Sequence, residues 1–349
     1  QRVMSVLAAY FCRKDEFEVH LILYGKDIDC FYDLPDNLIT HKPDFVFNNR
    51  LRQLSSIRRL LFLRRTVKNI NPISVLSFGE VWNSFVLLAL IGYKYPVYIS
   101  DRCRPDKTFG FFHENLRRWL YRYASAIIVQ TNKARDIYQA RFKRTPIIVI
   151  GNPISELAAG NDFSRENIIL SVGRLIPSKN HAALIETFVK LNNHGWKLVI
   201  VGGDALKMNL MKELRALIRK HCVEDQIILT GTRPDVESFY FRSKIFVLTS
   251  DSEGFPNVIG EAMYSGLPVV AFDCVAGPSD LISDCEDGYL VPLHDYVTLG
   301  SRLTQLMNDT ELCERFGHNA RNNIKRFAVE KIGEKYYSLI SSGIESTSN

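Results

Sequence analysis

The sequence has no apolar run near the ~20 residues that a membrane-spanning helix needs. Its longest candidate, Phe85 to Ile91, is far too short. Seven cysteines (Cys12, Cys30, Cys103, Cys222, Cys274, Cys285, Cys313) are scattered, with no C-x-x-C pair. That pattern argues against a disulfide framework and a thiolate zinc site. Reduced, mostly buried thiols in a cytoplasmic protein are expected instead. The histidines (His20, His41, His113, His181, His194, His221, His294, His318) are equally dispersed. None stands at metal-ligand spacing from Cys or an acid, so they read as structural or surface residues. No G-x-G-x-x-G follows a strand-like run, which sets aside a dinucleotide-dependent dehydrogenase. An initiator Met is also missing, and Gln1-Arg-Val-Met-Ser-Val-Leu7 already reads as a helix. An α/β domain usually opens with a strand, so a truncated N-terminus is expected.

What the chain does have is length for two domains, at 349 residues, and an uneven charge. Residues 1–150 hold 24 Lys and Arg against 13 Asp and Glu, while the remainder holds 20 against 25. A basic first half suits an anionic surface or substrate. No recognised nucleic-acid module accompanies it, and no nucleic-acid partner is expected.

Strand-like and helical segments alternate throughout. In the first half the strands read as Phe17–Leu23, Ile73–Ser77, Val97–Ser100, Ala126–Gln130 and Pro146–Ile150. A Gly-, Asn- and Pro-rich segment, Gly151 to Ser164, reads as a linker and hinge. A second set follows, with strands at Ile168–Val172, Lys197–Val201, Gln226–Thr230, Ile245–Thr249, Pro268–Phe272 and Tyr289–Val291. Alternation of this kind predicts parallel sheets covered on both faces, hence two tandem Rossmann-like doubly wound domains facing across a cleft. Ligands of such sheets bind beyond the carboxyl ends of the strands.

One stretch at such an end stands out: Asp251-Ser-Glu-Gly-Phe-Pro-Asn-Val-Ile-Gly-Glu261-Ala-Met263. Glu253 falls on the loop after a strand, and Glu261 about one turn into the helix from Asn257 to Tyr264. Between them lie the free N–H groups of a helix start, a ready anion site. Acid, anion site and acid suit a ligand with hydroxyls at both ends and a diphosphate between, such as a nucleotide-diphospho-sugar.

Three segments then resemble a known family, the retaining glycosyltransferases of family 4 with the GT-B fold (glycosyl transferases group 1). They are Ser171-Val-Gly-Arg174-Leu-Ile-Pro-Ser-Lys179-Asn180, Gly231-Thr-Arg-Pro-Asp-Val236, and the Ser250–Met263 stretch followed by Gly266-Leu-Pro-Val-Val270 and Gly277-Pro278. The resemblance implies an acceptor-side domain over 1–155, lacking its first strand, and a nucleotide-sugar-binding domain over 156–330. A C-terminal helix and tail, 331–349, would cross back to the first domain. It further implies a hexosyltransferase moving a hexose or N-acetylhexosamine from a nucleotide-diphospho-sugar, expected to be a UDP-sugar, to an acceptor hydroxyl with retention. No cofactor and no catalytic metal are implied. The alternative is a non-catalytic nucleotide-sugar or glycan-binding module on the same fold.

Carried onto this chain, the family pattern makes Arg174, Lys179 and Glu253 catalytic. The two cations would hold the diphosphate and offset the charge that grows on it. Glu253 would contact the transferred sugar and Glu261 the ribose. Phe255, Pro256, Asn257, Val258 and Ile259 would offer backbone N–H groups, with Gly254 and Gly260 allowing close approach. Gly231, Thr232 and Arg233 would frame the base, and Gly202 would line the same cleft. In the first half many family members have a His after the third strand. This chain has Asp101 and Arg102 instead, read as a candidate acceptor or phosphate site with Asp101 orienting Arg102, or else as a structural pair.

The segment Arg50 to Lys68 puts six arginines and a lysine between leucines at helical spacing. It reads either as a core-packed helix with a solvated basic face or as peripheral contact with an anionic membrane. Phe109, Phe111, Phe112, Trp119, Tyr121 and Tyr123 could join that surface or an acceptor groove. The family resemblance implies a glycan or lipid-linked acceptor in surface polysaccharide assembly, at the inner face of the plasma membrane.

Overall fold

The computed structural model describes residues 2–26, 33–158 and 164–347, with side chains placed up to residue 341. Two compact units result. One comprises the described residues up to Pro153 and those from Val329 onward; the other runs from Ile154 to Ala328.

The first unit opens with α1 (Arg2–Cys12), β1 (His20–Ile22), β2 (Ile39–His41) and α2 (Arg52–Ile70). Then come β3 (Val75–Phe78), α3 (Glu80–Leu90), β4 (Val97–Ser100), α4 (Phe111–Leu120), β5 (Ala126–Val129), α5 (Asn132–Arg141) and β6 (Ile147–Val149). The second unit starts with β7 (Ile168–Val172), α6 (His181–Leu191), β8 (Lys197–Val201), α7 (Leu210–Lys220), β9 (Ile227–Gly231) and α8 (Val236–Arg242). It goes on through β10 (Ile245–Leu248), α9 (Asn257–Tyr264), β11 (Val269–Phe272), α10 (Pro278–Leu281), β12 (Gly288–Val291), α11 (Tyr296–Asn308) and α12 (Thr310–Asn323). The last helix, α13 (Val329–Thr347), belongs to the first unit.

In the first unit β3-β4-β5-β6 form a parallel sheet in sequence order, and β1-β2 a separate parallel pair. α13 packs on α1. Gly333 sits where a Cβ would come within 2.6 Å of the Tyr10 ring, and the Tyr10 hydroxyl donates to Glu334 at 3.0 Å.

The second unit holds a six-stranded parallel sheet in the order β12-β11-β10-β7-β8-β9. Every residue of β7, β10 and β11 is buried. That is why these strands read as unbroken apolar runs rather than as alternation. Chain order reverses between β7 and β10, which pair through Ile169 and Ile245. A crevice beyond the carboxyl ends at such a switch point is the usual ligand site of doubly wound sheets. Leu184, Ile185 and Phe188 of α6 join Leu299, Leu303 and Leu306 of α11 in the core on one face of this sheet.

Several expected boundaries move. α7 starts at Leu210 rather than Leu206, because Lys207 turns at φ +65° and the Asp204 carboxylate accepts the Met211 amide. Phe17–Leu23 shrinks to β1, and its partner β2 carries no sequence signal: it is three residues long with little burial. The Gly151–Ser164 segment is not loose at its start. Gly151 to Ile154 are buried, and the Ile154 amide donates to Phe327 at 2.8 Å; residues 159–163 lie outside the described ones. Of the six described cysteines only Cys274 and Cys313 are buried, so the expectation of mostly buried thiols fails; Cys30 lies outside the described residues.

Candidate functional site

The loops after β7 and β10 flank the switch point, and they bring together two of the expected residues. Lys179 Nζ donates to Glu253 Oε1 at 2.5 Å, both side chains being about one-sixth exposed. The alkyl chain of Lys179 runs over Gly173, 3.4 Å from where a Cβ would stand. Its backbone is fixed too: the Thr249 hydroxyl donates to the Lys179 carbonyl at 2.7 Å, and the Asp251 amide donates to Ser178 at 2.8 Å. Arg174 lies in the same loop and is exposed. An acid held by a cation at the end of a parallel strand, with a second, exposed cation in the same loop, offers groups for a sugar hydroxyl and for a diphosphate.

Beside this pair the carboxyl ends of β7, β8 and β9 meet backbone to backbone. The Gly202 amide donates to the Gly231 carbonyl at 3.0 Å, and Leu175 to Gly203 at 2.9 Å. A Cβ on Gly202, whose φ is +152°, would stand 1.8 Å from the Gly173 oxygen; one on Gly203 would meet Thr232 Oγ1 at 2.3 Å. Gly202, Gly231 and Thr232 thus form a side-chain-poor edge. Arg233 is exposed, and its guanidinium is tied to Asp235 at 2.8 and 2.9 Å.

Glu261 lies on α9, 7% exposed, and Oε2 accepts the Tyr240 hydroxyl at 2.9 Å. The expected row of donor amides needs correction. Pro256 has no N–H. The Asn257 amide donates to Phe255 and the Ile259 amide to Pro256, at 3.0 and 2.9 Å. Ile259 is fully buried, and the Phe255 ring packs edge-on against Phe327. Val258 is half-buried in the first turn, and Gly254 precedes it. Gly260 does not face a ligand: a Cβ there would sit 2.5 Å from Ile154 Cδ1, so the glycine lets α9 pack on Ile154.

Asp101 does not orient Arg102. Its carboxylate is buried and accepts from Arg117 (2.6 Å), Asn83 (2.7 Å), Tyr121 (2.8 Å) and Tyr138 (2.7 Å). Burial pushes this carboxyl above the ordinary carboxylate range, against the pull of Arg117. Burial works against the Arg117 charge as well, but the Asp101 carboxylate outweighs it and keeps the guanidinium above its usual value. Asp101 is therefore a core ion-pair residue and cannot reach a ligand. Arg102 donates to Asn152 and to the Tyr336 hydroxyl and lies over the Phe78 ring. Glu80, at the start of α3, accepts the amides of Arg102 and Cys103 at 2.8 and 2.6 Å.

Two histidines do pair with acids: His20 with Glu18, and His294 with Asp251, both at 2.7 Å. Among the described residues no group of three His, Cys, Asp or Glu is arranged to hold a metal. The sequence does hold an Asp-x-Asp spacing, Asp27-Ile28-Asp29, and it lies outside the described residues. Among the described residues no helix is long and apolar enough to cross a membrane. α2 buries Leu63 and Val67 yet exposes Leu54, Ile57 and Leu61. On α4 Phe111 and Phe112 are 79% and 89% exposed, whereas Tyr121 is fully buried and belongs to the Asp101 network.

Sequence reasoning missed Tyr240, Asn180 and His294 as neighbours of the site. Asn180 closes the Ser171–Asn180 segment, but its bonds to the Thr249 carbonyl and the Asp251 carboxylate depend on tertiary pairing. For Tyr240, 21 positions from Glu261, the sequence held no signal.

A family model described as glycosyl transferases group 1 matches residues 155–323. An "uncharacterized glycosyltransferase" of Haemophilus influenzae is 31% identical, covering 80% of this chain and 79% of that protein. The Campylobacter jejuni "GalNAc-alpha-(1->4)-GalNAc-alpha-(1->3)-diNAcBac-PP-undecaprenol alpha-1,4-N-acetyl-D-galactosaminyltransferase" is 26% identical over 98% of this chain and 94% of its own length. Among solved structures, a TarM variant from S. aureus in complex with fondaparinux, alpha-GlcNAc-glycerol and UDP superposes with a TM-score of 0.68 at 25% identity, covering 81% of this chain and 59% of that longer one. The four- and six-stranded parallel sheets and the likeness to solved structures give the GT-B fold.

Proposed function

The chain belongs to the glycosyl transferases group 1, and from that premise we propose that it moves a hexose or N-acetylhexosamine, with retention, from a UDP-sugar to a hydroxyl of a lipid-linked glycan in surface polysaccharide assembly. The observation that carries this reading is the Lys179–Glu253 pair at the switch point of the six-stranded sheet. The donor diphosphate lies over the loop after β7. There Lys179 and Arg174 offset the negative charge that grows as the bond between anomeric carbon and phosphate oxygen breaks. Glu253 accepts from hydroxyls of the transferred sugar, and Glu261 from the ribose. The acceptor oxygen attacks from the face the phosphate leaves and passes its proton to that phosphate oxygen. Glu253 is not assigned as a nucleophile: it is held by Lys179, and one carboxylate does not make the paired arrangement of retaining hydrolases. The cations perform the charge compensation, so transfer proceeds without a catalytic metal.

Two likenesses support the donor and acceptor. The TarM variant was solved with UDP. The Campylobacter jejuni relative is named for adding N-acetylgalactosamine to a PP-undecaprenol-linked glycan. A lipid-linked acceptor also suits α2, where exposed Leu54, Ile57 and Leu61 alternate with Arg58 and Arg65. That surface docks on the anionic face of a membrane.

Thermal shift against UDP-, GDP- and ADP-sugars tests the donor, because a ligand of the folded state raises Tm. A rise confined to UDP compounds, followed by UDP release only when acceptor is present, is the expected result. Nucleotide binding without transfer to any glycan acceptor would instead identify a binding module.

A further inference from the structure

Asp251 lies two residues before Glu253, and its carboxylate gathers three loops of the second unit. Oδ1 accepts from Nδ2 of Asn180, the neighbour of Lys179 in the loop after β7. The same oxygen accepts from Nε2–H of His294 at 2.7 Å, in the loop between β12 and α11. Asn180 also donates to the Thr249 carbonyl at 3.0 Å, and the Asp251 amide to the Ser178 carbonyl at 2.8 Å. Every one of these bonds fixes the chain beside Lys179 or beside Glu253.

The His294 backbone sits at φ +65°, a left-handed conformation uncommon outside glycine that His, like Asn and Asp, adopts more readily than other residues. Its ring packs edge-on to Phe272 and parallel to Tyr296. The pair is more than one-third exposed at both partners. A surface contact this open to solvent adds little stability, so its consequence lies in where it holds the Asp251 carboxylate.

We propose that His294 is a positioning residue for the Lys179–Glu253 pair, acting through the Asp251 carboxylate. The inference rests on the reading of that pair as the donor site. With His294 in place, Asp251 has a fixed orientation and holds Asn180, and the peptide of Lys179 follows. Without it, one of the three loops leaves the knot, and the cation that must meet the diphosphate gains freedom. Loss of alignment of this kind lowers turnover rather than nucleotide affinity. The nucleotide end is gripped elsewhere, by Glu261 and the glycine edge.

The test compares the wild type with His294→Gly and His294→Gln. Glycine keeps the left-handed backbone without strain and removes the ring; glutamine is long enough to place an amide N–H donor where Nε2 of His294 meets Asp251. Hydrogen exchange on the ligand-free protein should show the Asp251 amide several times faster in the glycine variant and near wild type in the glutamine variant. With UDP-GlcNAc as donor, turnover of the glycine variant should fall roughly tenfold, with UDP affinity unchanged within about twofold, and the glutamine variant should recover most of it. Unchanged exchange in the glycine variant, or no recovery with glutamine, overturns the proposal. So does UDP affinity that falls in step with turnover, since that marks collapse of the whole site. Failure of UDP to bind the wild type would sink the donor-site reading, while the exchange comparison would still decide the role of His294.

Discussion

Tyr240 donates its hydroxyl to Oε2 of Glu261 at 2.9 Å, and both side chains are buried. The bond joins α8 to α9 and fixes the direction in which this carboxylate can accept a second partner. Tyr240→Phe removes the donor with little change in shape. A hydrogen bond to a charged group contributes about 1.5–3 kcal/mol, and part of that orients the acid. The expected outcome is a donor KM raised about fivefold, with kcat within twofold, in steady-state kinetics at saturating acceptor. An unchanged KM would mean that Glu261 is oriented without Tyr240.

Lys179→Ala should lower turnover by at least ~100-fold, the scale of losing one charge-stabilising donor. Glu253→Gln keeps the shape but leaves Lys179 without its counter-charge, and a fall in kcat is expected there as well. Near-normal turnover in the lysine variant would remove Lys179 from the chemistry.

His181, the first residue of α6, is 3% exposed, and burial pushes its imidazole down to about 4, with the nearby Lys179 charge adding to the effect. Below pH ~6.5 the unfolded chain takes up a proton that the folded chain refuses. Stability is therefore intact above that value and falls steadily as pH drops towards 4. Between pH 7 and pH 5 the loss from this residue should be about 2 kcal/mol. Urea denaturation of the wild type and His181→Gln at both pH values measures it; an equal pH dependence in the two proteins would assign the loss elsewhere.

Gly260→Ala places a methyl group 2.5 Å from Ile154 Cδ1. Alanine favours a helix over glycine by about 1 kcal/mol, but overpacking typically costs 1–3 kcal/mol. The net expectation is a Tm lowered by a few degrees. Adding Ile154→Val should restore part of it by reopening space, and a stabilised single variant would contradict the close packing.

α2 is predicted to bind vesicles of anionic lipid in co-sedimentation at low salt, and to release them as salt screens the arginines. Arg58→Glu with Arg65→Glu should abolish the binding without altering UDP affinity. Failure of the wild type to bind at low salt would end the membrane reading.

The second unit was largely legible because its signals are local. Strands buried on both faces announce themselves as Ile-Phe-Val-Leu and Val-Val-Ala-Phe. The Asn257–Tyr264 helix has the bounds its pattern predicts, and Lys179 and Glu253, each in its own motif, meet in one contact. What escaped depends on tertiary pairing. Asp101 and Arg102 are adjacent in sequence, which invited a paired reading, but the carboxylate turns inward to Arg117. Gly260 sits in a glycine-rich motif and faces a core isoleucine instead. β2 was hidden because three residues with little burial leave no periodicity to detect.

The reversal of strand order between β7 and β10 separates two kinds of change that the chain can accept. Connections leaving a doubly wound sheet on either side of that point diverge to opposite faces, so the crevice is made by chain path more than by side chains. The segments just beyond Val172 and Leu248 carry the Lys179–Glu253 contact, while the strands that end there are buried throughout. Changes in those rim segments would therefore alter the crevice and leave the interior strands as they are, so loss of the site and loss of the fold are separable by mutation.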